Sequence, residues 1–142
     1  MKVIIASDCK SIEYKNSIKE YLISKGYNVV DKTENKNVNF IEASNYVAEA
    51  ILSNEGDRGI IIDEYGTGSF NVATKHKGIV CAQVADEHSA KMTRDHNNTS
   101  IITIGSKVTS CEIGKRIADK FVISEYSGGR HQIRVDMLNK MA

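Results

Sequence analysis

Proline and tryptophan are both absent from this chain of 142 residues. Without proline there is no rigid kink and no polyproline linker, so turns must rest on Gly, Asn, Asp and Ser. Cysteine is scarce: Cys9, Cys81 and Cys111 are odd in number and form no CxxC pair. That suits a reducing cytoplasm better than a disulfide framework or a structural zinc site. Cys81 lies in the apolar run Ile79–Val84 and reads as an inert core thiol. Charge of one sign is also lacking. The formal net charge is +1, with no sustained basic stripe, so neither nucleic acid nor a membrane surface is an expected partner. No apolar stretch is long enough to cross a bilayer, and no signal-peptide pattern precedes Val3. The expected location is cytoplasmic.

What remains is ordinary for a globular protein, with 41% hydrophobic and 26% charged residues. The length suits one domain over residues 1–142 with a proper core. Short branched apolar runs alternate with helical spacing. Val3–Ala6, Tyr27–Val30, Ile60–Ile62, Ile79–Val84 and Ile101–Ile104 read as strands. Between them, helical spacing runs from Ile12 to Leu22 (with Gly26 as its stop) and along Val47, Ala48, Ile51 and Leu52. A helix is predicted over Ser69–Lys75, a polar one over Asp86–Arg94, a long one over Cys111–Ser124 and a last one over Arg130–Met141. Strands separated by helices imply a parallel sheet covered on both faces. The predicted fold class is α/β, a single Rossmann-like three-layer α/β/α sandwich with a five-stranded parallel sheet.

In such folds ligands sit beyond the carboxyl ends of the strands. The stretch Ile60-Ile61-Ile62, Gly66-Thr67-Gly68 and then a helix has that build, although a tight turn alone would also use these glycines. It lacks GxGxxG spacing and there is no P-loop, so no nucleotide cofactor is expected. Asp8 after the first strand reads as a helix cap or a site carboxylate. His96, in Asp95-His96-Asn97-Asn98, lies in a predicted loop without apolar periodicity. It is either an exposed turn residue or a general acid–base near neutral pH. His76 and His88 fall in polar stretches and are expected at the surface. In the tail Gly128-Gly129-Arg130-His131-Gln132-Ile133-Arg134, Arg130 and Arg134 stand four residues apart. On one helical face they either converge on an oxyanion such as phosphate or are simply solvated.

Taken in order, the GTG turn, the His-Asn of TRDHNN, the strand ending IGS and the GGRHQIR tail resemble the ribose-5-phosphate isomerase B type of sugar-phosphate isomerase, from Val3 to the C-terminus. ATKHKG, MTRDHNN and GGRHQIRVDMLNKM are most similar to the branch that works as paired A and B subunits on D-galactose 6-phosphate and D-tagatose 6-phosphate. The resemblance implies a metal-free, cofactor-free aldose–ketose isomerase whose C-terminal helix reaches a homologous B subunit. It also implies roles: His96 opens the sugar ring, Asn97 orients a hydroxyl or oxyanion, and Arg130 and Arg134 hold the phosphate. Two departures stand out. Asp8-Cys9 replaces Asp-His, and Tyr65 replaces the cysteine that moves the carbon-bound proton. A phenol with a reference pKa near ~10 is a poor base at neutral pH. The B subunit is therefore expected to supply the cysteine and the working GTG donors, leaving Thr67 here as a vestige. Rival expectations are a scaffold subunit, a self-contained ribose- or allose-phosphate isomerase using Glu64 as base, and a sugar-phosphate sensor.

Overall fold

A computed structural model describes all residues, Met1–Ala142. Strands β1 (Lys2–Ser7), β2 (Asn28–Asp31), β3 (Arg58–Asp63), β4 (Cys81–Gln83) and β5 (Ile101–Gly105) form one parallel sheet in the order β2-β1-β3-β5-β4. The helices are α1 (Ile12–Ser24), α2 (Phe40–Leu52), α3 (Thr67–Ala73), α4 (Glu87–Asn97), α5 (Cys111–Ile123) and α6 (Gln132–Lys140). A 3-10 turn, Gly129–His131, leads into α6. The predicted α/β sandwich is the observed one.

The isoleucine runs explain the layering. A parallel strand buried on both faces must be apolar at every position rather than every second one. Ile60, Ile61 and Ile62 accordingly have no exposed surface. Ile60 and Ile62 join Val3, Ile5, Ile102 and Ile104 against α1, α4 and α5. Ile61 joins Ile4, Ala6 and Ile101 against α2 and α3. Each such side chain contributes on the order of 1.5–3 kcal/mol by leaving water. Lys15 is one of the charged side chains buried among these apolar ones. Its ammonium is buried and meets the Asp31 carboxylate at 2.9 Å and Thr33 Oγ1 at 3.3 Å, pinning α1 to the end of β2.

Several boundaries differ from the sequence expectation. β4 is only Cys81–Gln83, because it is the sheet edge and pairs on one side alone. α3 begins at Thr67, not Ser69, because Gly66 takes the left-handed conformation (φ 78°) and the helix starts at once. Helix α1 is preceded by Ser11, so Asp8 is not its N-cap. Helix α4 extends to Asn97, which puts His96 and Asn97 in its last turn rather than in a loop. Asp86 caps it, its carboxylate accepting from the Ser89 amide at 2.7 Å, and Asn98 closes it at φ 51°. The apolar period was invisible because the buried face of α4 consists of Ala90 and, four residues on, Arg94. Arg130 lies in the 3-10 turn, one turn ahead of the α6 helix that carries Arg134. His76 is half-buried and bonds Asn45 at 2.8 Å, so of the two surface histidines only His88 stands free in solvent.

Gly105 sets how closely β5 approaches the turn after β3. A Cβ there would stand 2.6 Å from the Tyr65 carbonyl carbon and 2.8 Å from its oxygen, and backbone cannot yield as a side chain can. Gly105→Ala is expected to destabilise the fold by about 1–3 kcal/mol, read as a lower thermal midpoint. An unchanged midpoint would show that the turn has room to move.

Candidate functional site

The candidate residues gather at two opposite edges of the sheet. At the carboxyl edge, the chain leaves β1 toward one face and β3 toward the other, which opens a crevice between them. β1 delivers Ser7 and Asp8, β3 delivers Asp63, Glu64 and Tyr65, and β5 delivers Ser106. The turn is held from below: the Thr103 hydroxyl donates to the Gly66 carbonyl at 2.7 Å, and Gln83 Nε2 donates to the Tyr65 carbonyl at 3.1 Å. Ser69 donates to Asp63 at 2.9 Å, so that carboxylate serves the turn.

Asp8 is buried, and neither its Oδ1 nor the neighbouring Ser7 Oγ has a hydrogen-bond partner. Burial raises the carboxyl above the usual range, with Asp63 and Glu64 adding to the rise and Ser11 and the Lys10 amide opposing it. Glu64 is the reverse case. Its carboxylate pairs with Lys107 and, at 3.7 Å, with Lys10. The Lys107 contact holds it below the usual range, which makes it a weak proton acceptor. Tyr65 projects into solvent, 55% exposed. Cys9 is exposed too, beside a cleft of about 730 Å³ that also touches Ser11, Tyr14, Ser106 and Cys111. Burial pushes the Cys81 thiol up to about 12, in keeping with an inert core cysteine.

The amino edge holds the other group. Helix α4 runs back antiparallel to the strands, so its last turn, with His96 and Asn97, ends where β5 begins. Helix α5 ends at the same edge and passes directly into the tail. The His96 and His131 rings stack there, centroids 4.4 Å apart and 19° from parallel. Desolvation first, then His96 and Arg130, hold the His131 imidazole below its ordinary range, with Asp95 opposing and Arg134 adding least. His96 thus stacks on His131, which stands in the tail segment that also carries Arg130 and Arg134, and Asn97 is exposed next to His96. Tyr126 donates to Gln132 at 2.9 Å, and Gln132 donates to Asp136 at 2.7 Å, steadying the start of α6. No three His, Cys, Asp or Glu side chains converge as a metal site anywhere in the chain.

The two groups are separated by the length of α4. At ~1.5 Å rise per residue its 11 residues span roughly 16 Å, so His96 cannot act on a substrate held at this chain's own GTG turn. The reading of the sequence missed His131, although it sits between the two arginines. A histidine beside arginines carries no periodic signal, and its partner is 35 residues away (131 − 96).

Comparison with known proteins fits this architecture. Among solved structures, the ribose 5-phosphate isomerase of Thermotoga maritima superposes with a TM-score of 0.93 at 32% identity, covering 99% of this chain and 98% of that one. The Mycoplasma genitalium ribose-5-phosphate isomerase B, solved with bound ribulose-5-phosphate, gives 0.91 at 32% identity, covering 97% and 93%. The fold is thus that of a sugar-phosphate isomerase. Residues 3–138 match the Ribose/Galactose Isomerase family, and the chain belongs to that family. The "galactose-6-phosphate isomerase subunit LacA" proteins of Clostridium acetobutylicum and Staphylococcus aureus are 49% and 51% identical, each over 99% of both chains. The family resemblance read from the GTG, HNN and GGRHQIR motifs holds over the whole length.

Two titrations follow from the site. His131 is expected to titrate below the ordinary histidine value of about 6.5, and His96→Gln to move it back upward, both followed by NMR. Asp8 has a raised folded value, so the stability it contributes is present below the unfolded value and lost as pH rises. Asp8→Asn is therefore expected to raise the thermal midpoint at pH 7 and to lose that advantage near pH 3. A lower midpoint at pH 7 would mean that the ionised carboxylate is favoured.

Proposed function

We propose that this chain is the A-type subunit of a heteromeric aldose–ketose isomerase that interconverts D-galactose 6-phosphate and D-tagatose 6-phosphate in the cytoplasm. In this reading the amino edge of the chain is half of a shared centre. His96 moves the proton between the ring oxygen and the anomeric hydroxyl, opening the sugar. Asn97 orients a substrate hydroxyl or the developing oxyanion. Arg130 and Arg134 grip the phosphate with forked, charge-assisted hydrogen bonds. A homologous B subunit brings the cysteine that carries a proton between C1 and C2 through an enediolate, together with the backbone donors of its own GTG turn.

The observation that carries this proposal is the separation of the two edges. His96 and the tail segment that carries Arg130 and Arg134 meet at the amino edge, remote from the crevice of their own chain, while at the end of β3 that crevice carries a solvent-facing phenol, Tyr65. Glu64 is a poor substitute, because Lys107 already holds its charge. A centre that needs both sets of groups is completed by setting the amino edge of one chain against the carboxyl edge of another. The C-terminal helix supports a partner contact. Only Val135 of α6 is buried, whereas Ile133, Met137, Leu138 and, just beyond, Met141 lie exposed along it.

The chain alone is expected to show negligible isomerisation, restored by adding the cysteine-bearing subunit. Full activity of the isolated chain would overturn the half-site reading. In the mixed enzyme, Arg134→Ala is expected to raise KM between about tenfold and a hundredfold, for a lost charged contact of roughly 1.5–3 kcal/mol. An unchanged KM would leave this arginine outside the phosphate grip.

A further inference from the structure

We propose that Arg94 is the positioning residue for His96: its guanidinium ties the end of α4 to the segment that carries Arg130 and His131, and so sets where the imidazole points. This rests on the reading of His96 given above. Arg94 lies two residues before His96 on α4 and is only 4% exposed. Its fork addresses three acceptors from two parts of the chain. Nη1 donates to the Thr99 carbonyl at 2.7 Å and to Asn98 Oδ1 at 3.0 Å, which fixes the turn that closes α4. Nε donates to the Ser124 carbonyl at 3.3 Å, just past the end of α5. Three residues further, Ser127 fastens the other side, its amide and hydroxyl donating to the Asp95 carbonyl at 3.1 and 3.0 Å. The chain from Ser124 to Ser127 is thus bound to α4 at Arg94 itself and at the next residue, Asp95, and it runs on into Gly128, Gly129, Arg130 and His131. The His96–His131 stack stands where these two fastenings lead.

Filling space does not require an arginine here. A Leu or Met would occupy the buried face of α4 without the cost of desolvating a cation. The strain of keeping one is visible: Arg58 donates to the same Ser124 carbonyl at 3.3 Å, with its own Nε buried and unpartnered. Burial first, and then the neighbouring Arg58, hold the Arg94 guanidinium down at about 10, and Glu125 offsets this only in part. What an arginine offers and an aliphatic residue does not is a rigid planar fork that fixes two separate carbonyl groups relative to one helix. A lysine keeps the charge but reaches as a single point.

The test is Arg94→Lys in the mixed enzyme, with Asn98→Gly as a milder second variant. Glycine keeps the left-handed closure at φ 51° and removes only the Oδ1 acceptor. Misplacing His96 is expected to lower kcat about tenfold in Arg94→Lys, with KM within about threefold, and to lower it less in Asn98→Gly. In NMR of the chain, the mutual ring-current shifts of His96 and His131 are expected to shrink, and His131 to titrate closer to an ordinary histidine. Normal kcat in Arg94→Lys overturns the proposal whether or not the stack survives. So does a loss of kcat that follows only a falling thermal midpoint, with Asn98→Gly at the wild-type rate and the stack intact. His96→Gln in the same assay separates the two ideas. If it turns over normally, the role of His96 and that of Arg94 both fall; if it is crippled while Arg94→Lys is normal, only the assignment of Arg94 falls.

Discussion

A parallel sheet gives the molecule a direction, and the other features follow from that. Every strand points its carbonyl end to the same edge, and every crossover helix must run back the other way. A residue at the end of a strand and one at the end of a helix therefore lie on opposite sides of the molecule, however close they are in the chain. Tyr65 and Gly66 close β3 at one edge; His96 and Asn97 close α4 at the other. No loop movement of ordinary size brings them together. In the proposed half-site reading, the division of labour between two chains follows from topology before chemistry.

The two edges also differ electrically. The carboxyl edge concentrates Asp8, Asp63 and Glu64, and their mutual repulsion with the burial of Asp8 favours a proton on that carboxyl. The amino edge gathers Arg58, Arg94, Arg130, Arg134 and two histidines, and there, after burial, His96 and Arg130 help lower His131 as Arg58 helps lower Arg94. A formal charge of +1 conceals this segregation completely. In the proposed reading, opposed edges of two chains offer a sugar phosphate a cationic face for the phosphate and an acidic one for its hydroxyls.

Much of the fold was legible because isoleucine and valine runs leave little choice in a sheet covered on both sides. The strands at Val3, Ile60 and Ile101 and the amphipathic helix over Cys111–Ile123 emerge from periodicity alone. Reading failed where a charged residue fills a core position. Arg94 masks the last turns of α4, and Lys15 sits fully buried on α1 against Asp31. Lys15 depends on Asp31 and Thr33, and Arg94 in part on Ser124, acceptors far enough along the chain that no local pattern reports them. The edge strand β4 was overestimated for a related reason, since Ile79, Val80 and Val84 are apolar enough to pair but have a neighbour on one side only.

The sequence by itself determined the element order, the layering and the residue types available for chemistry. Those depend on side-chain polarity and turn residues acting over a few positions. The tertiary structure alone decided which of those residues can meet. It set His131 against His96, bonded the chain after α5 to α4 through Arg94–Ser124 and Ser127–Asp95, and kept the two imidazoles a helix length from Asp8 and Tyr65. Proximity of that kind arises from how helices return across the sheet, and it leaves no trace in the spacing of the chain.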